Sequence, residues 1–320
     1  MIEQPNIQKK NLKFAGYLVL LLSSLLFGGN VVAARLISGD IPPIALATLR
    51  GLFGLLVVFP LARRSLRQSP TPSKHDLFLF ALMGSLGISV AYATFLWSIQ
   101  YSTATNVSII FATNPAITIT LLALGWGIIP SKLRVFGIAL SFTGLLVVIT
   151  QGSFTRLLAL NLRPSDLMML VNVLGVSLFT IIGQGVMKKF TPLVTSVYSL
   201  LFGTMFLLPY GLWETFHKSW HFTGISMLGL LYMGCFVTGI AVMLNFEGVN
   251  RLGSGKAAIF GNLAPVFGIS LACIFLGERL SLYHWVGFIL VIVGIGICLW
   301  PTGTQKDIDP LANLHKEPLP

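Results

Sequence analysis

Asn114 and Pro115 adjoin at the centre of an apolar stretch, FATNPAITITLL, residues 111–122. Pro265 lies 150 positions after Pro115, in GNLAPVFGIS, with Asn262 three residues before it. Proline lacks a backbone N–H, so inside a helix each proline breaks one i→i−4 bond. That frees the carbonyls of Phe111 and Gly261, and the nearby amides can donate hydrogen bonds. This is chemistry for polar recognition rather than bond making. A kink that serves only helix packing is the alternative.

Other polar groups share the apolar runs. Ser23 and Asn30 are seven apart, and Ser85, Ser89 and Tyr92 follow the i, i+4, i+7 spacing of one helix face. Asn106, Thr113, Asn172, Gln184, Tyr198 and Asn245 complete the set. Amides with aromatic rings suit an amphipathic solute with a flat or apolar part. The plainer alternative is that the hydroxyls glue helices together and the aromatics pack. Arg50 is a lone cation in an apolar run, about two turns from its end. Two readings stay open for it: snorkelling to the near surface, or meeting an anionic group of a solute. Glu247 and Lys256 flank one connection, either as a gate pair or as two exposed loop charges.

Catalytic signatures are missing. There is no HExxH and no GxSxG. GVNRLGSGKAA departs from a phosphate loop at Asn250 and Ala257. His217 and His221 are four apart but have no supporting ligand set. No metal or cofactor is expected, and the chain does not read as an enzyme. None of the ten carboxylates and none of the five histidines falls in mid-run, which leaves no deep proton relay. Exchange or facilitated diffusion follows, with coupling through Glu247 as a lesser option.

These groups need a frame. The chain has 320 residues, of which 55% are hydrophobic and 10% charged, and its mean hydropathy is +0.85. Soluble domains carry about 25% charged residues. Ten apolar runs stand out, at 14–34, 44–62, 77–99, 104–125, 133–150, 166–187, 193–213, 223–246, 256–276 and 282–300. Their length of about 20 residues matches a bilayer-crossing helix, and they lack the alternation of barrel strands. The fold class expected is an all-α integral membrane protein with ten spans. The first run is too long for a cleaved leader.

The net charge of +11 is distributed by topology. With a cytoplasmic N-terminus, the inner segments hold Lys9, Lys10, Lys13, Arg63, Arg64, Arg67, Lys74, Lys132, Arg134, Lys188, Lys189, Arg251, Lys256, Lys306 and Lys316. The outer segments hold only Arg35, Arg156, Arg163, Lys218 and Arg279. This bias places both termini in the cytoplasm and removes nucleic acid as the reason for the charge. Cys235, Cys273 and Cys298 fall within runs, so no disulfide framework is implied.

Shifting the sequence by 150 superposes 104–148 on 254–298 without a gap. Pro115 meets Pro265, Ser131 meets Ser281, Gly137 meets Gly287, and Gly144 meets Gly294. The organisation is an N-terminal segment 1–13, repeats at 14–152 and 153–301, and a polar, disordered tail at 302–320. Each half has five spans, an odd number, so the second copy enters the membrane inverted. Many transporters share this arrangement.

Within this frame the chain resembles the drug/metabolite transporter superfamily, in its EamA-like branch. The resemblance covers almost the whole chain. It rests on TATNVSIIFATNPAITITLLALG, on GKAAIFGNLAPVFGISLACIFLGERLSLYHWVGFILVIVGIGI, and on IPPIALATLRGLFG in the second run. FLGERLS-x3-WVG-x6-G is the most specific part. The resemblance implies a small-metabolite carrier of the bacterial inner membrane, often an exporter, for amino acids, nucleosides or similar solutes. It implies peripheral fifth and tenth spans. Partners would be a solute and the lipid bilayer, with no nucleic acid, in a monomer or homodimer. The family often has Gly-Glu after both proline helices. Here Gly277-Glu278 is present, but the first half has Gly127-Ile128. Glu278 is expected to be structural, joining the ninth and tenth spans. A channel and an intramembrane enzyme are the rival classes.

Overall fold

Apolar runs of this length bury their backbone polar groups most completely as helices, and helices are what form. The structure is a computed structural model that describes residues 4–126, 130–153, 163–252, 260–261, 263–298 and 300. Among the described residues there is no β-strand.

The helices are α1 (Gln4–Leu36), α2 (Pro43–Gln68), α3 (Lys74–Tyr101), α4 (Ala104–Trp126), α5 (Lys132–Ile149), α6 (Pro164–Val186), α7 (Pro192–His217), α8 (Gly224–Leu252), α9 (Leu263–Leu276) and α10 (Leu282–Cys298). Eight of them are long and apolar enough to cross a bilayer. α9 and α10 are shorter, at 14 and 17 residues. α1 begins ten residues before the run at 14–34, because Lys and Gln are good helix formers that extend it through the polar N-terminal segment. The tail 302–320 lies outside the described residues.

The connections 37–42, 102–103, 218–223 and 277–281 gather at one end of the bundle, called distal here. There Asp40 meets Thr223, and Glu278 meets Ala104. α4 is broken at Thr113 into Ala104–Ala112 and Asn114–Trp126. The Thr113 backbone N–H and hydroxyl both donate to the Ile110 carbonyl, at 3.1 and 2.7 Å. The helix resumes with the Ile117 N–H on the Thr113 carbonyl. This is the expected consequence of Pro115.

α5 and α10 pack as an antiparallel pair through the repeated glycines. A Cβ on Gly137 would lie 2.6 Å from the Gly294 carbonyl oxygen, and one on Gly144 would lie 2.6 Å from that of Gly287. Only glycine permits such close backbone approach.

α3 and α8 each contain a π-helical segment, Gly84–Val90 and Tyr232–Ala241. The two overlap when shifted by 150. The segment in α3 packs on α7, and the segment in α8 packs on α2, so each half presents its π segment to the other half's second helix.

Candidate functional site

The most unusual group inside the bundle is Arg50. It is 5% exposed. Its Nε donates to the Thr238 hydroxyl at 2.9 Å, and the guanidinium carbon sits 4.0 Å from the Tyr92 ring centroid. Thr238 lies in the π segment of α8 and donates in turn to the Met233 carbonyl, five residues back, at 2.9 Å. α2 and α8 run in parallel, since Gly234 abuts Arg50 and Phe53 while Gly54 abuts Thr238.

Arg50 therefore reaches one turn deeper than its own backbone. Thr238 is 14 residues into α8, about 21 Å at 1.5 Å per residue. Snorkelling toward the nearer, distal end is overturned. The glycines of the α2–α8 contact leave the guanidinium room to turn inward, onto an aromatic face and a hydroxyl.

The energetics are lopsided. Burying a cation costs several kcal/mol. A desolvated cation–π contact returns about 2 kcal/mol, and a hydrogen bond from a charged group about 1.5–3 kcal/mol. Tyr92 also hydrogen-bonds the guanidinium, and neither of these described partners carries a full negative charge.

The other sequence candidates scatter. Asn30 is half-buried on α1, which packs on the π segment of α8, and its Oδ1 is buried without a hydrogen-bond partner. Asn114 is half-buried, and its amide donates to the Ser177 hydroxyl at 3.2 Å and the Val173 carbonyl at 3.4 Å, both on α6. Thr118 joins Ser177 at 3.0 Å. The Asn114 amide donors are thus engaged in pinning α4 to α6. Pro115 is half-buried beside it, while Pro265 is buried in α9. Gln184 and Asn245 are half-buried near the other end of α6 and α8, away from Arg50. Glu247 is exposed within the last turns of α8, not in a loop, because the helix continues to Leu252. Asn262 and Lys256 lie outside the described residues, so the proposed symmetric amide and the gate pair have no structural account.

Several polar groups serve as helix-to-helix pins. Ser89 donates to the Gly203 carbonyl at 2.7 Å, and Asn172 to the Ala91 carbonyl at 2.7 Å. Asn106 pairs with His284 at 3.1 Å, and Tyr198 stacks on Phe80. The buried His284 accepts the Ser281 N–H on Nδ1, so its proton sits on Nε2 and goes to the Asn106 carbonyl oxygen.

The distal end holds a device that the sequence reading missed. Glu278 accepts from the Ala104 N–H at 2.8 Å, the Thr105 N–H at 2.9 Å and the Thr105 hydroxyl at 2.6 Å. It is structural, as expected, but it joins the α9–α10 turn to α4 of the other repeat. Glu214, 2% exposed, accepts from the Ile44 and Ala45 N–H groups at the start of α2, and Lys218 pairs with it at 2.7 Å. Asp40 accepts from Thr223 and Ser226 at the start of α8. Carboxylates at helix N-termini complement both the free N–H groups and the dipole. No local pattern reveals them, because each carboxylate reaches its helix start from over 160 positions away; Glu214 and Glu278 cap backbone N–H groups, while Asp40 takes the hydroxyls of Thr223 and Ser226.

A cavity of about 680 Å³ opens at this end, lined by Trp97, Tyr101, Tyr210 and His217 among others. Its α3 residues, Ala93, Trp97, Gln100 and Tyr101, lie on the side of α3 opposite buried Ala91, Phe95 and Ser98. It is a lateral crevice with aromatic walls, away from Arg50, Asn114 and Asn30, none of which lines it.

Repeated, apolar, all-helical and pinned by internal polar contacts, the chain is a multi-pass membrane protein. It belongs to the EamA-like transporter family, which matches residues 14–150 and again 163–300. It is similar to the uncharacterized transporter YetK of Bacillus subtilis, 25% identical over 289 residues, 88% of this chain and 86% of that one. An uncharacterized transporter of Archaeoglobus fulgidus is 25% identical over 87% of this chain and 95% of its own. The uncharacterized inner membrane transporter YicL of Salmonella typhimurium is 24% identical over 88% and 93%. A solved crystal structure shares the fold at a TM-score of 0.61 and 16% identity, over 90% of this chain and 95% of that one.

Proposed function

We propose that the protein is a carrier moving a small solute across the cytoplasmic membrane by alternating access. Ten spans in two inverted five-helix repeats would rock about the bundle interior, with both termini cytoplasmic and the distal end outside. The observation that carries this reading is the crossed pair of π segments. Residues 84–90 pack on α7 and residues 232–241 on α2, at equivalent places in the two halves. Extra residues in a helical turn are a frequent mark of functional sites. Here they occupy both contacts that two rocking halves would have to rearrange. The 15-to-5 bias of Lys and Arg supports the orientation. The run 256–276 supports a ninth span longer than the described α9.

Transport would be exchange or facilitated diffusion. The described buried carboxylates, Asp166 and Glu214, sit at helix ends and not in mid-bundle. Counterflow in proteoliposomes tests the reading, using a pool of amino acids and nucleosides, with and without a pH gradient. Saturable exchange of one class is expected. Flux that never saturates and shows no counterflow would make the protein a channel. Strict dependence on a pH gradient that survives Glu247→Gln would defeat the uncoupled mechanism.

A further inference from the structure

We infer that Arg50, with Tyr92 and Thr238, forms a binding site for a monoanionic group, a carboxylate, in the middle of the bundle. The inference deepens the carrier reading and rests on it only for the site's role in transport.

Three observations converge. First, Arg50 is a fixed charge. Guanidinium does not deprotonate in proteins, so burial cannot be relieved by neutralisation, as it can for lysine. Second, it has no carboxylate counter-ion among the described residues. Their ion pairs are Lys189–Asp76 and Lys218–Glu214, both at helix ends. Third, it is held. The Nε bond to Thr238 and the Tyr92 face fix the guanidinium plane from two sides. The Nη donors not engaged by Tyr92 lie in the planar guanidinium whose geometry matches a carboxylate.

One unpaired cation calls for one negative charge, which favours a carboxylate over a doubly charged phosphate monoester. It also separates the solutes proposed above, because a neutral nucleoside offers nothing to this group, whereas an amino or other organic acid does. The Tyr92 ring supplies a flat apolar wall beside the anion. Occupancy would also act on the π segment of α8, since Thr238 links Arg50 to the Met233 carbonyl within it.

The test measures thermal unfolding of the purified, detergent-solubilised chain with benzoate, benzamide or inorganic phosphate, in wild type, Arg50→Gln and Arg50→Lys. A ligand that binds only the folded state raises the midpoint in proportion to the logarithm of its occupancy. Benzoate should raise the wild-type midpoint and benzamide should not. Arg50→Gln should lose the shift, and Arg50→Lys should weaken apparent binding about 10-fold or more, because the fork is gone. Equal benzoate shifts in wild type and Arg50→Gln, or no shift with benzoate, overturn the site. A larger shift with phosphate than with benzoate overturns the monoanion assignment. If Arg50→Gln does not fold, Arg50→Lys carries the comparison, and benzoate affinity equal to wild type refutes the fork. Counterflow keeps the two readings apart. Saturable exchange of neutral solutes untouched by Arg50→Lys sinks the anion site and leaves the carrier standing. A benzoate shift that needs Arg50, without counterflow of any solute, does the reverse.

Discussion

Glu278→Ala removes three hydrogen bonds at once, from two backbone N–H groups and one hydroxyl at the start of α4. Each bond to a charged group contributes about 1.5–3 kcal/mol when buried. Glu278 is half-buried at a rim, so the sum must be discounted toward the value of a helix cap plus its dipole term, about 1–3 kcal/mol. The net expectation is a loss of about 2–4 kcal/mol. For a chain of this size that is a fall in unfolding midpoint of about 4–8 °C, taking roughly 2 °C per kcal/mol. Glu278→Gln should fall between, since its amide NH2 would face an N–H donor. Gly277 stands in the left-handed region, at φ +65°, which lets the chain turn back after α9 and deliver Glu278 to α4. The assay is thermal unfolding in detergent beside counterflow in proteoliposomes. A variant with an unchanged midpoint and a lost solute affinity would refute the capping argument and make Glu278 a substrate contact.

Three further outcomes follow from the same geometry. Gly144→Ala drives a Cβ to 2.6 Å from the Gly287 carbonyl oxygen; it should cost about 1–3 kcal/mol of stability, read as a lower unfolding midpoint. Asn114→Ala and Ser177→Ala both cut the α4–α6 pin; each should cost about 1 kcal/mol and slow counterflow without lowering expression, and normal flux in both would move the moving parts elsewhere. Lys218 is held above the usual lysine range by its hydrogen bond to Glu214. Its contribution is therefore complete below pH 10.5 and lost as pH rises through the raised value; a melting series should show an alkaline loss in wild type that Lys218→Met lacks.

Helix existence was legible because a bilayer-length apolar run leaves the backbone few alternatives. The glycines of α5 and α10 were legible for a similar reason, since their 150-residue repetition marks a contact that both halves share. The break at Asn114-Pro115 followed from a missing N–H. What the break faces did not follow. An asparagine amide near a freed carbonyl serves a neighbour helix as well as a ligand, and here Ser177 on α6 takes it. GSLGISV and YMGCFVTGIA have no composition that separates a π turn from an α turn. Their register comes from packing against α7 and α2. The direction of Arg50 was hidden too, because snorkelling assumes a lipid neighbour, and its real neighbours, Tyr92 and Thr238, lie 42 and 188 positions away.

The polar contacts between the halves are unevenly placed, and the imbalance bears on mechanism. At the distal end Asp40 of the first half meets the start of α8. Glu214 and Glu278 of the second half meet the starts of α2 and α4. At the opposite end the ion pair between the halves among the described residues is Asp76–Lys189, whose lysine is 46% exposed. Exposed pairs contribute little, about 0–1 kcal/mol, whereas charge-assisted caps on helix N-termini contribute more. In a rocking carrier the better-fastened end is the closed one. On the proposed carrier reading, the distal contacts would hold the two halves together on that side, with Arg50 beneath them. To open there, such a carrier would have to release the starts of α2, α4 and α8 from Glu214, Glu278 and Asp40. On the proposed reading the cost of opening would be set by two carboxylate caps on backbone N–H groups and one carboxylate–hydroxyl contact, and not by the apolar core.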